Sequence, residues 1–121
     1  MLLFGNDSLS SLGGVQNITS LSDGLAIQNG SSLTSMTGLE NLTSVGGQFL
    51  ITGHDQLASL NGLENLNSVG GMIQIRQNFS LLRDFCALQN LFANGSYNQV
   101  DISNNPFNPT VQNIIDGNCS Q

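Results

Sequence analysis

Apolar residues recur along this chain with a period of 24. Leu9, Leu33, Leu57 and Leu81 form one column, and Leu12, Met36 and Leu60 the next. Val15, Leu39 and Leu63 follow, then Ile18, Leu42 and Leu66, then Leu21, Val45 and Val69, and Leu3, Ile27, Ile51 and Ile75 close the set. Polar columns keep the same register: Asn17, Asn41 and Asn65; Ser20, Ser44 and Ser68; Ser11, Ser35 and Ser59. The stretch "LENLTSVGGQFLI" at 39–51 returns almost unchanged as "LENLNSVGGMIQI" at 63–75. A fixed period of this length signals stacked structural units. Each unit buries its apolar columns against its neighbours, which is why it must repeat.

Within a unit the periodicity changes. Leu57, Leu60, Leu63, Leu66 and Val69 come every third residue, a spacing that fits neither an α-helix nor a simple strand. It suits a chain bending around a core through 3₁₀-like turns and short extended pieces. After the Gly-Gly pairs at 46–47 and 70–71, alternation begins: Phe49 and Ile51, Ile73 and Ile75. This predicts a short strand with two inward residues, paired in parallel with its equivalent in the next unit. The glycines are expected to permit the turn into the strand, at positive φ; bare backbone approached by a ligand is the competing reading.

The period shifts after Leu81. Phe85, Leu88 and Leu91 sit 25 residues beyond their counterparts, so Leu82 or Arg83 reads as a one-residue insertion. "DFCALQNLFANG" predicts a helix capped by Asp84, with Phe85, Leu88 and Phe92 on one face and Gly95 at its end. Tyr97 to Ile102 reads as a last strand. "NPTVQNIIDGN" predicts a second helix with Asn108 as cap, Pro109 in the first turn and Gly117 at the stop. The expected fold is therefore mainly β: a right-handed parallel β-solenoid of about four coils over 1–81, closed by a helical cap over 82–121. Together these make a single domain.

The unit "L-x-x-L-x-G-L-x-N-L-x-S-V-G-G-x-φ-x-I", with φ an apolar residue, as at Leu57 to Ile75, resembles the receptor L-domain type of leucine-rich-repeat-like solenoid. "DFCALQNLF" and "NPTVQNIIDGNCS" look like the end segment of such arrays in secreted surface proteins of bacteria. The resemblance covers nearly the whole chain and implies a recognition or spacer surface. Repeat one departs from it, with "SDGLAI" at 22–27 where the others have "VGG". The cysteine-rich modules that flank animal receptor L domains are absent from this sequence, so a hormone-receptor role is not implied.

Composition narrows the function further. Asp and Glu number 8 against 2 basic residues, Arg76 and Arg83, for a formal net charge of −6. Phosphate backbones and anionic membrane surfaces demand the opposite sign, so no nucleic acid is expected as a partner. No apolar run is long enough for a membrane span, so no membrane insertion is expected.

Candidate chemistry is sparse. Cys86 and Cys119, one in each predicted cap helix, are expected to form a disulfide, which places the protein in an oxidising compartment; two buried thiols are the alternative. With His54 they are too few and too distant for a metal site. His54 shares a column with Asn6, Gly30 and Asn78 and reads as a turn residue at the strand exit. A triad with Asp55 has no support, because adjacent residues rarely orient a base toward a nucleophile. Glu40 and Glu64 would stack roughly 5–6 Å apart, a spacing that resembles a retaining glycosidase pair. Equal positions on a regular surface lack the unequal environments that acid–base catalysis requires, so both read as solvated surface. Neither a catalytic residue nor a cofactor is expected.

Among the Asn-x-Ser/Thr sequons, those at Asn17, Asn29, Asn41, Asn78, Asn94 and Asn118 are candidate glycosylation sites in a eukaryotic secretory host. For Asn17 and Asn41 an asparagine ladder is the simpler account. Met1, Leu2, Leu3 and Phe4 fall in strand columns, so the chain starts inside a strand. That edge is expected to meet an upstream segment or another subunit. The expected function is a non-catalytic extracellular or cell-surface module for recognition, adhesion or assembly, contacting a protein or glycan surface or copies of itself. The alternatives are a structural filament subunit and an ice- or polysaccharide-binding face built on Ser10/Thr34 and Thr19/Thr43. The columns of that face break at Ala58 and Asn67.

Overall fold

Each repeat makes two short extended segments, because each carries two places where side chains alternate in and out. The computed structural model describes residues 2–4, 16–30 and 32–121. The strands are β1 (Leu2–Phe4), β2 (Ser20–Leu21), β3 (Leu25–Gln28), β4 (Ser44–Val45), β5 (Phe49–Thr52), β6 (Ser68–Val69), β7 (Ile73–Arg76) and, after the helix α1 (Gln89–Asn94), β8 (Val100–Ser103); α2 (Val111–Ile115) follows. They form a five-stranded sheet in the order β1-β3-β5-β7-β8 and a three-stranded sheet in the order β2-β4-β6. Every pairing between them is parallel.

Register follows the sequence period. Ile27 lies opposite Ile51, Ile51 opposite Ile75, and Ile75 opposite Ile102. In β3, β5 and β7 the first and third residues are buried and the second and fourth half-exposed. Leu3 pairs with Ile27, as the columns predict; Met1 lies outside the described residues, as do the column members Leu9, Ser10, Ser11, Leu12 and Val15 and the strand-exit Asn6.

The every-third-residue stretch makes the turns that its spacing predicts. Leu39 donates to the carbonyl of Met36 and Leu42 to that of Leu39; Leu63 donates to Leu60 and Leu66 to Leu63. Leu57, Leu60, Leu63 and Leu66 are each 0 % exposed, so the leucine-rich bends, as much as the strands, build the core. They merge with the strand residues and with Phe85, Leu88, Leu91 and Ile114 in one hydrophobic cluster.

Four expectations need correction. The Leu57 column does not continue at Leu81, which is 43 % exposed; Leu82, at 0 %, takes the buried place. The inserted residue therefore precedes Leu82: where the previous repeat has Asp55 and Gln56 between His54 and Leu57, this one has Phe79, Ser80 and Leu81 between Asn78 and Leu82. Second, the paired glycines are absent from the positive-φ residues, which include Gly38, Gly53, Gly62 and Gly117. What Gly46 and Gly70 permit is close stacking, since a Cβ on Gly70 would collide with the carbonyl oxygen of Gly46, and one on Gly46 with that of Ser22. Third, the second helix is capped by Thr110, not Asn108: Thr110 Oγ1 accepts from Asn113 N and Asn113 Oδ1 from Thr110 N, a reciprocal box. Asn108 instead folds back on Asn105. Fourth, the last strand starts at Val100 rather than Tyr97, because Tyr97 turns its ring onto Phe92, 5.0 Å away and edge-on.

Over 82–121, Asp84 Oδ1 accepts the amide proton of Cys86 and starts a 3₁₀ turn, Cys86–Leu88, that runs into α1. Cys86 and Cys119 are disulfide-bonded, with Cα atoms 4.9 Å apart. Around the bond, Phe85 donates to the carbonyl of Cys119 and Gln121 to that of Arg83. The end of the chain is thereby tied to the start of the helical segment.

Candidate interaction surface

Positions two and four of each strand in the larger sheet point away from the core, so their columns make a continuous outer face. One column runs Ala26, Leu50, Gln74, Asp101; the other runs Gln28, Thr52, Arg76, Ser103. All are half-exposed. Side chains on and beside this face are cross-linked. Ser103 Oγ donates to Asp101 Oδ1 at 2.8 Å, Gln48 Nε2 to Gln74 Oε1 at 3.2 Å, and Arg76 Nη1 lies 3.8 Å from Asp101 Oδ2. The last pair is largely solvated and holds the face together only weakly. What the arrangement offers chemically is a flat, ordered display of amide, hydroxyl and one opposite-charge pair, on backbone fixed by parallel ladders.

The single histidine follows the exit of β5, where its column places it, and it is buried there. His54 is 1 % exposed. Its Nε2 lies 2.9 Å from the carbonyl of Ile27 and its Nδ1 3.2 Å from that of Gly30. A neutral ring donates to one of these and a protonated ring to both. Its own amide donates to Asn78 Oδ1, and the Asn78 amide donates to Asn105 Oδ1. Asn78 Nδ2 reaches the carbonyl of Ile51, and Asn105 Nδ2 that of Ile75. These three side chains make a buried polar ladder at the strand exits. The ladder escaped sequence reasoning, although the Asn78 column and the echo "ISNN" at 102–105 marked its positions.

Glu40 and Glu64 are exposed and face turns. Each accepts the amide proton of the glycine two residues earlier, Gly38 and Gly62, at 2.8 Å. Of the sequon asparagines, Asn17, Asn29, Asn41, Asn94 and Asn118 are exposed. Asn41, expected in a ladder with Asn17, forms one with Asn65 of the same column, their Nδ2 donating to the carbonyls of Gln16 and Glu40. Asn78 is 0 % exposed with its Nδ2 bonded inward, so a sugar on it does not fit this fold and it drops out as a glycosylation candidate. Thr43 Oγ1, on the proposed hydroxyl face, donates to the carbonyl of Thr19. Leu2, Leu3 and Phe4 form β1, which stands at one end of the larger sheet.

Both cysteines are consumed by the disulfide, a bond of oxidising, extracellular-type compartments. Among the described residues no helix is long and apolar enough to cross a membrane. No protein-family model, no curated protein and no solved structure matches this sequence.

Proposed function

We propose that the chain is a non-catalytic extracellular recognition module of the receptor L-domain-like kind. In this reading the parallel strands and leucine bends are the coils of a right-handed β-solenoid, and 82–121 is its cap. The observation that carries the reading is the outer face of the larger sheet, where eight half-exposed, mostly uncharged side chains stand in two straight columns on rigid backbone. Flat ordered faces of this kind serve contact with protein or glycan surfaces, whereas small-molecule chemistry favours a deep concave site. The disulfide supports an extracellular or cell-surface setting.

The test is a glycan array and a panel of intact cells probed with labelled protein. Wild-type protein should bind a restricted set of glycans or cells. The double variant Leu50→Glu/Gln74→Lys should lose that binding while melting at the same temperature. Equal binding by both proteins would place recognition elsewhere and defeat this reading.

A further inference from the structure

The larger sheet ends in an unfinished layer. The inward pairs of β3, β5 and β7 are covered: Leu25 and Ile27, Phe49 and Ile51, and Ile73 and Ile75 are all at most 2 % exposed. The equivalent pair in β8, Val100 and Ile102, is only half-buried. These two residues line an open groove of about 280 Å³ with Asn108, Pro109, Thr110 and Val111. That volume lies just below the roughly 300–1,000 Å³ of small-molecule pockets and suits a pair of aliphatic side chains rather than a cofactor. The backbone beside it is also unpaired by strands. Ile73 N donates to Gln99 O and Gln77 N to Ser103 O, so the odd-numbered residues of this segment face β7. In a parallel strand the alternate groups point the other way. The N–H and C=O of Val100 and Ile102 therefore face outward, where the described residues place no further strand.

We propose that the outer edge of β8 is a binding site for an extended, basic segment of a partner protein, added as a sixth parallel strand. Two apolar side chains of that segment, two residues apart, seat on Val100 and Ile102 against Pro109 and Val111. Main-chain bonds to the exposed edge supply affinity, and the alternate side-chain positions supply specificity. The residue between the apolar pair lies beside Asp101. On the β7 side that carboxylate has Arg76, and on the outer side no cation lines the groove. A lysine or arginine there is complementary, and the chain's net charge of −6 draws a basic segment. The same charge makes a second copy of this chain the poorer occupant.

The probe is the synthetic peptide acetyl-Gly-Met-Ile-Arg-Ile-Arg-Gln-amide, which copies residues 71–77 with arginine in place of Gln74. Residue-resolved amide exchange is followed with the intact, oxidised protein. In the protein alone the amides of Val100 and Ile102 should exchange freely. At saturating peptide both should slow at least tenfold, while the β5 and β7 amides stay unchanged. A peptide with glutamate in place of both arginines should bind about fivefold more weakly, the scale of a solvated charge pair. Asp101→Lys should reverse that order of preference, and Asp55→Asn, at an exposed turn away from both the sheet face and the groove, should leave it intact. Should Asp101→Lys not fold, Asp101→Asn should abolish the preference, and Val111→Lys should weaken both peptides. Slow exchange of Val100 and Ile102 without peptide overturns the proposal, whether in a monomer or in a concentration-dependent dimer of this chain. So does peptide binding whose charge preference ignores residue 101.

Discussion

His54 sits where two other repeats place asparagine, and the substitution shows what the position requires. Each ladder member must carry a donor from the strand exit back to a carbonyl of the preceding repeat: His54 to Ile27, Asn78 to Ile51, Asn105 to Ile75. A carbonyl buried without a donor loses its hydration and gains nothing. Among the described residues no buried side-chain polar atom lacks a partner, so the ladder is complete and sensitive to any member. We expect His54→Leu to lower the unfolding free energy by about 1–3 kcal/mol, measured by urea titration. His54→Asn should recover much of that loss, because asparagine does the same job one and two repeats on. If asparagine is no better than leucine, shape rather than hydrogen bonding governs the site.

At the scale of the element, the paired glycines and the shifted leucine decide how tightly repeats stack. The backbone of Ser22 leaves no room for a Cβ on Gly46, and that of Gly46 none for a Cβ on Gly70. Gly70→Ala should therefore cost about 1–3 kcal/mol as an overpacked site, and a neutral result in thermal melting would mean that the layers can part there freely. Leu82→Ala should cost about 2–5 kcal/mol through cavity formation. Leu81→Ala, one residue earlier, should stay within about 0.5 kcal/mol as a surface change; the reverse ranking would restore the unbroken 24-residue column. Parallel register, the inward Ile27–Ile51–Ile75 ladder and the leucine turns were legible in the sequence, because identical residues at a fixed spacing demand identical surroundings. The exact place of the insertion was not, since Leu81 and Leu82 are the same residue type and periodicity cannot choose between them. Nor was the cap of α2: Asn108 and Thr110 are both good caps, and only the reciprocal bond to Asn113 favours the second. The buried ladder stayed hidden because asparagine is as common in exposed turns as in buried ones. The outer face followed from register alone, but the half-open groove at β8 depends on how far 104–111 reaches over the last layer, which no pattern of residue types encodes.

For the whole molecule, the β8 end of the larger sheet has no further strand among the described residues to secure it. Each repeat is stabilised by its neighbours, so the last layer has a partner on one side and must be held by something else. Here the holding is done by 82–121, where Phe85, Leu88, Leu91 and Ile114 join the common core and Phe107 meets Phe85 edge-on at 6.2 Å. That segment contains two short helices, neither able to persist alone at such length. The disulfide from Cys86 to Cys119, across 33 residues, limits the freedom of the segment when it detaches. Loop-closure entropy sets the effect at about 3–4 kcal/mol. We expect the Cys86→Ala/Cys119→Ala variant to lose stability of that order in urea titration. The loss should also be uneven. Amide exchange should quicken first in α1, α2 and β8, then in β7, with β3 and β5 slowest to respond, as fraying proceeds inward from the uncovered layer. Uniform acceleration through all strands would show that the chain unfolds as one indivisible unit, and a loss below about 1 kcal/mol would show that packing alone secures the end.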